Sequence, residues 1–176
     1  MTFKSIGLEG AWLLGLDRHE DERGFFARLW CASEFGGRAL ASTVEQCSLS
    51  YNRRAGTIRG MHYQAPPREE TKVVRCVRGA VHDVLLDLRP DSPTHKRWVA
   101  RTLTCDNRLA FYIPEGIAHG FQTLTDDAEV LYLIGQQYDP ALARGVRWND
   151  PAFGIHWPLP VGAMSERDRG YPDFGR

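Results

Sequence analysis

The stretch Gly56-Thr57-Ile58-Arg59-Gly60-Met61-His62-Tyr63-Gln64 sets an imidazole between a guanidinium and an amide, and three uses compete for it: base, metal ligand or packing. Removing a proton from a carbon beside a carbonyl needs a base that works near neutral pH and a cation or donor where the enolate oxygen forms. His62 and Lys72 are of the types that fill those two roles. A carboxylate on the second ring nitrogen would fix the tautomer and strengthen the base, and Asp83 and Asp168 are both candidates. A phenol such as Tyr132 could return a proton from the opposite face. Base on one side and acid on the other is what inversion at carbon demands.

Metal ligation in a small β-barrel asks for another pattern: two histidines one residue apart, a carboxylate soon after, and a further histidine on a later strand. The chain offers His62, then Gln64 where the second imidazole would stand, then Glu69 or Glu70, and much later His119 in PEGIAHGF. An amide is a poor transition-metal ligand, so no metal is expected. Packing is the ordinary fate of a lone histidine among apolar neighbours. Here Arg59, Lys72, Asp83, His119 and Tyr132 all fall on or beside strands of one small barrel, whose inward positions converge. A core has no need of so many titratable groups, and a polar pocket is expected.

The elements that must position these groups read as strands. From about Arg53 onward, short runs rich in Val, Leu, Ile, Phe and Tyr alternate with clusters of turn residues, the pattern of an all-β sandwich or barrel. The runs are KVVRCV, AVHDVLLDL, RWVARTL, LAFYI, GFQTL, EVLYLIG and GVRW; PEGIAHG falls among the turns. In AVHDVLLDL the alternation sends Val81, Asp83, Leu85 and Asp87 to one face, and an acid among apolar residues suggests that this face lines something polar. Before residue 50 the pattern predicts strands at AWLLGLD and GFFARLW and a helix from about Ser33 to Leu40, weakened by Gly36 and Gly37. SERD near the end predicts a single turn of helix.

Composition narrows the function classes. Lys+Arg and Asp+Glu both number 22, so no general field attracts nucleic acid or a membrane surface. The four cysteines form no C-x-x-C pair and are expected to be reduced, mostly buried thiols. With no secretory signal and no run able to span a bilayer, the expectation is one cytoplasmic domain over residues 1–176.

Over nearly its whole length the chain resembles the dTDP-4-dehydrorhamnose 3,5-epimerase family. The matching pieces, in order, are DERGFF, IRGMHYQ with PP following, KVVRCVRGAVHDVLLDLR, SPTHKRWV, FYIPEGIAHGF, AEVLYL, and RWNDPAFGIHWPL through SERD. The resemblance implies a cupin-type double-stranded β-helix, that is, a jelly-roll barrel with a few short helices. It implies a homodimer that exchanges N-terminal strands from residues 1–50, with a short helix or turn in residues 160–176. It also implies no metal or organic cofactor, and a nucleoside-diphosphate 4-keto-6-deoxy sugar as substrate, epimerised at C3, C5 or both. By position, His62 would be the base backed by Asp168, Lys72 would hold the enolate oxygen, and Tyr132 would be the acid. Asp83 and His119 would complete the polar pocket, with Tyr138 closing it or competing as the acid. Arg23, Phe26, Gln46 and Arg59 would hold the nucleotide and diphosphate, the first two reaching across the dimer.

Two departures fall at the nucleotide end. Arg28 stands where the family pattern R-G-x-F-x-E has its acid, and Ser48 stands where Q-x-N-x-S has Asn. They leave the base and the sugar open. A sugar-nucleotide ketoisomerase on the same barrel, a non-catalytic sugar-nucleotide-binding cupin and a metal-dependent oxygenase are the alternatives.

Overall fold

The computed structural model describes residues 1–175. The first half contains β1 (Thr2–Ser5), β2 (Trp12–Gly15), β3 (Arg18–Asp21), β4 (Gly24–Ala27), α1 (Ala32–Gly36), β5 (Gln46–Asn52), β6 (Ile58–Gln64) and β7 (Lys72–Arg78). There follow β8 (Ala80–Asp87), β9 (Trp98–Thr104), β10 (Ala110–Ile113), β11 (Ile117–Thr123), β12 (Ala128–Ile134), β13 (Ala143–Gly145) and α2 (Glu166–Arg169). Six strands form one sheet in the order β1-β2-β10-β7-β12-β5, and five form a second in the order β13-β6-β11-β8-β9. Every pairing is antiparallel, and β3 and β4 make a separate hairpin. The fold is all-β, as the run-and-turn pattern predicts, and no helix among the described residues is long and apolar enough to cross a membrane.

The two sheets face each other across a core that draws Val74, Cys76, Phe111 and Val130 from one side and Val81, Leu85, Leu103 and Phe121 from the other. The five-stranded sheet is also covered on its outer face. Met61, Val84, Leu86 and Ala118 pack there under Val146, Phe153 and Ile155 from the C-terminal third. Burial on both faces explains why AVHDVLLDL is nearly continuous in apolar residues instead of alternating cleanly with polar ones. The six-stranded sheet is covered over part of its outer face, where Phe35 of α1 packs on Leu14, Val73 and Tyr112.

Several sequence expectations need correction. The helix ends at Gly36 instead of Leu40, because Gly36-Gly37 weakens it and Ala39 turns to positive φ. Of GVRW only Gly145 belongs to the strand, whose ladder starts two residues earlier, in Ala143–Gly145. PEGIAHG is only half turn, since Ile117 to Gly120 already belong to β11. Strand β5 escaped the pattern because its run QCSLSYN is polar on one face and exposed on the other. Only Cys76 of the four thiols is buried; Cys47 is exposed, and Cys31 and Cys105 lie between.

At the end of β8, Asp87 collects Arg89 (2.7 and 2.9 Å), Ser92 (2.6 Å) and Thr94 (2.6 Å), which shapes the loop toward β9. Burial alone would push this carboxyl up, but those donors hold it well below the usual range. A depressed folded-state value means the stabilisation is complete above the unfolded carboxylate value near about 4 and is lost as pH falls toward the folded one. Asp87→Asn should therefore cost about 2–4 kcal/mol near neutral pH. The gap to wild type should narrow below about pH 4, which urea unfolding at two pH values measures; a gap independent of pH would contradict the assignment.

Candidate active site

The inward positions of the two sheets converge on a cavity of ≈ 630 Å³. From the six-stranded sheet come Lys72 at the start of β7, Tyr132 on β12, and Ser48 and Ser50 on β5. From the five-stranded sheet come Arg59 and His62 on β6 and His119 on β11. His62 and His119 stand opposite each other in the β6–β11 register, which shifts between His119 and Phe121. That shift depends on two glycines. A Cβ on Gly60 would lie 2.5 Å from Gly120 Cα and 2.8 Å from the His119 carbonyl oxygen, and Gly60 holds φ at +128°. Only a residue without a side chain fits both demands.

Each histidine has its own carboxylate. Asp168 Oδ1 lies 2.7 Å from His62 Nε2, across 106 residues of sequence. Of the two candidates, Asp168 is thus the partner of His62. Asp83 instead pairs with His119 Nε2, at 2.9 and 3.1 Å, in a setting where both side chains are almost wholly enclosed. Because a carboxylate can only accept, Nε2 of His62 is the donor in this contact. Nδ1 has no protein partner among the described residues, on a ring that lines the cavity.

Asp168 is placed by the chain end folding back over β6. Ile58 N donates to Ala163 O (2.9 Å) and Gly162 N to Gly56 O (2.9 Å), while the Gln122 amide clamps both polar groups of the Leu159 backbone. Ser165 then caps α2, its Oγ accepting from Asp168 N at 3.1 Å. Burial pushes the Asp168 carboxyl up, but His62, the Gly60 N–H and Ser165 outweigh it and hold the group below its ordinary range. The Tyr132 phenol moves the other way. Burial and the nearby Asp83 push it well above the usual tyrosine range, so it keeps its proton at any working pH. Its ring lies 5.9 Å from that of His119 in an edge-on contact.

The other expected site residues divide. Arg59 lines the cavity, with Nε donating to Asn52 Oδ1 at 2.7 Å. Tyr138 stands at the mouth, more than half exposed. Gln46 is outside the lining but holds that mouth, its Oε1 accepting from Tyr138 N at 2.9 Å. Arg23 and Phe26 are not brought in: both sit on the β3–β4 hairpin, Arg23 bonded to Asp21 and Phe26 76% exposed. Of the two departures, Ser48 faces the cavity, whereas Arg28 lies outside it and pairs with Glu34 at 3.1 Å. Gln64, at the position a metal barrel would give to histidine, is fully engaged. Its Nε2 donates to Arg68 O and Gln137 O, and its Oε1 accepts from Asp139 N. Sequence reasoning missed Glu70 as a partner of Lys72 (2.6 Å), and Arg144 and Arg167 in the lining. The i, i+2 spacing of Glu70 and Lys72 was the only signal for the first.

Base, buried acid, cation and an enclosed cavity together can take a proton from carbon and return one. Comparison with known proteins agrees. The profile of one family, described as dTDP-4-dehydrorhamnose 3,5-epimerase, matches residues 5–175. A protein of Sinorhizobium fredii named dTDP-4-dehydrorhamnose 3,5-epimerase is 35% identical over 175 residues, covering 99% of this chain and 90% of that one. A dTDP-4-dehydrorhamnose 3-epimerase of Streptomyces niveus is 39% identical over 172 residues, covering 96% and 82%. Among solved structures, dTDP-4-dehydrorhamnose 3,5-epimerase from Bacillus anthracis with TDP and PPi bound superposes with a TM-score of 0.94 at 35% identity, covering 98% of each chain.

The close approach of β6 and β11 makes a local prediction. Gly60→Ala should destabilise the fold by about 2–4 kcal/mol, because backbone and not a flexible side chain meets the new methyl group. Urea unfolding tests it, and a loss under about 0.5 kcal/mol would show that the strands can part at little cost.

Proposed function

From the premise that this chain belongs to the dTDP-4-dehydrorhamnose 3,5-epimerase family, we propose which of its residues carry the reaction and in what order. The chain is a carbohydrate epimerase, and its substrate is a nucleotide-linked 4-keto-6-deoxy sugar, with dTDP the carrier we assign. The observation that carries the assignment is the His62–Asp168 contact in the same cavity as Lys72 and a phenol held protonated.

The C4 ketone makes the hydrogens on C3 and C5 acidic. His62 Nδ1 takes one of them, the imidazolium being stabilised by Asp168, which is already ionised and fixed by its helix cap. The electrons move to the ketone oxygen, where the Lys72 ammonium meets the enolate charge in a site of low dielectric. Tyr132 then delivers its proton to the same carbon from the other face, which inverts it. The phenolate left behind recovers a proton before the next turnover, with the His119–Asp83 pair as its nearest titratable neighbours. Arg59 takes the diphosphate, as planar guanidinium groups do with paired oxygens.

His62→Ala should lower the uptake of solvent deuterium into the sugar by about 100-fold or more. Tyr132→Phe should keep exchange but lose most of the inverted product, as followed by NMR. Wild-type exchange in His62→Ala would remove His62 as the base, and a ketone found at a new carbon would favour a ketoisomerase.

The second arm of the proposal is a homodimer. Strand β5 is an edge strand, open on one side, and its neighbourhood presents Leu49, Tyr51 and Val77 to solvent. The β3–β4 hairpin, carrying Phe25, Phe26 and Arg23, stands clear of its own cavity. An exchanged hairpin would bring Arg23 and Phe26 to the partner's nucleotide. Arg23→Ala and His62→Ala chains, each inactive alone, should regain roughly a quarter of wild-type activity when unfolded and refolded together, since one site in each mixed dimer is then intact. No recovery would place Arg23 in its own chain's site, and an Arg23→Ala chain active on its own would place it outside catalysis.

A further inference from the structure

One member of an ion pair in the cavity, Glu70, has no part in the roles above. Glu70 Oε1 lies 2.6 Å from Lys72 Nζ, and both side chains are nearly closed off, at 11% and 9% exposure. Thr71, between them, is tied to the end of β12, its carbonyl accepting from Gly135 N at 2.9 Å. Both side chains therefore project from an anchored backbone into the cavity.

An ammonium enclosed to this degree exchanges most of its hydration for protein partners. Its charge, and not only a hydrogen bond, is what an enolate oxygen needs from it. The other ionisable groups on the surrounding elements do little to support that charge. Arg59 on β6, Arg144 on β13 and Arg167 on α2 are cations; His62 and His119 are engaged by Asp168 and Asp83; Tyr63 and Tyr138 bring phenols, and the Tyr132 phenol keeps its proton. Among the described residues, Glu70 is the one carboxylate lining the cavity that no histidine engages.

Building on the epimerase reading, we propose that Glu70 is a positioning residue for Lys72. It holds the ammonium charged and aimed, and as the ketone oxygen gains charge the ammonium shifts one N–H from the Glu70 carboxylate to the enolate. No proton changes owner in this step, and the charge is present before the reaction begins.

The test follows deuterium uptake from solvent into a dTDP-linked 4-keto-6-deoxy sugar across pH, in wild type, Glu70→Gln, Glu70→Asp and Lys72→Arg. Glu70→Gln should move the alkaline limb of kcat down by about one pH unit or more. It should slow exchange about tenfold above that limb and leave KM within about twofold. Glu70→Asp, which keeps the charge, should retain the wild-type limb, and Lys72→Arg should lack it because a guanidinium stays protonated. A Glu70→Gln enzyme that keeps the wild-type limb overturns the proposal, and so does one that loses rate equally at all pH values. If Glu70→Gln does not fold, Glu70→Ala with added formate replaces it: exchange that rises with formate supports the role, and flat exchange overturns it. Wild-type protein that takes up no deuterium would sink the epimerase roles together with this one, whereas failure of the Glu70 variants alone sinks only the role of Glu70.

Discussion

The contact between Asp168 and His62 is the constraint from which the rest of the site follows. Its two members come from opposite ends of the fold, one on β6 and the other on a single turn of helix near the end of the chain. A helix this short has no stability of its own. It exists because the preceding segment is pinned to β6 and to Gln122, and because Ser165 caps it. The His62–Asp168 pair is therefore only as firm as the docking of residues 159–165, and ordinary backbone hydrogen bonds in that docking act at one remove on the imidazole.

Around this pair the cavity is organised as a set of local neutralisations. His62 has Asp168, His119 has Asp83 and Lys72 has Glu70. Leaving any of these charges alone in a space this enclosed would be costly. Each of these groups has its own partner within hydrogen-bond distance, so they sit close together without one dominating the field. Arg59, Arg144 and Arg167 stand apart from this scheme, and they leave the cavity with a positive excess suited to a diphosphate.

Much of this could be read in the sequence, for reasons that differ by element. Strands β7, β8 and β12 declare themselves because β-branched and aromatic residues fill them, and His62, Lys72, Asp83, His119 and Tyr132 could be placed together because inward positions of a small barrel converge. Strand β5 was missed although it alternates: Cys47, Leu49 and Tyr51 fall on one face and Gln46, Ser48 and Ser50 on the other, but its apolar residues are few and face solvent in the single chain, while its polar face lines the cavity. The choice between Asp83 and Asp168 was likewise beyond any local pattern, because the deciding contact spans 106 residues. Arg23 and Phe26 were singled out by likeness alone, and the single chain leaves them in solvent.

Gln64 ties together two loops on either side of the cavity mouth, bonding to Arg68 on one and to Gln137 and Asp139 on the other. Tyr138 lies between the last two. A histidine at position 64 could not make all three bonds, having one donor and one acceptor in its neutral form against the amide's two donors and one acceptor in use. Turning this barrel toward metal chemistry would thus unfasten the mouth in the same step that added a ligand. The amide at position 64 therefore serves the shape of the entrance, and an imidazole there would exchange that fastening for a ligand.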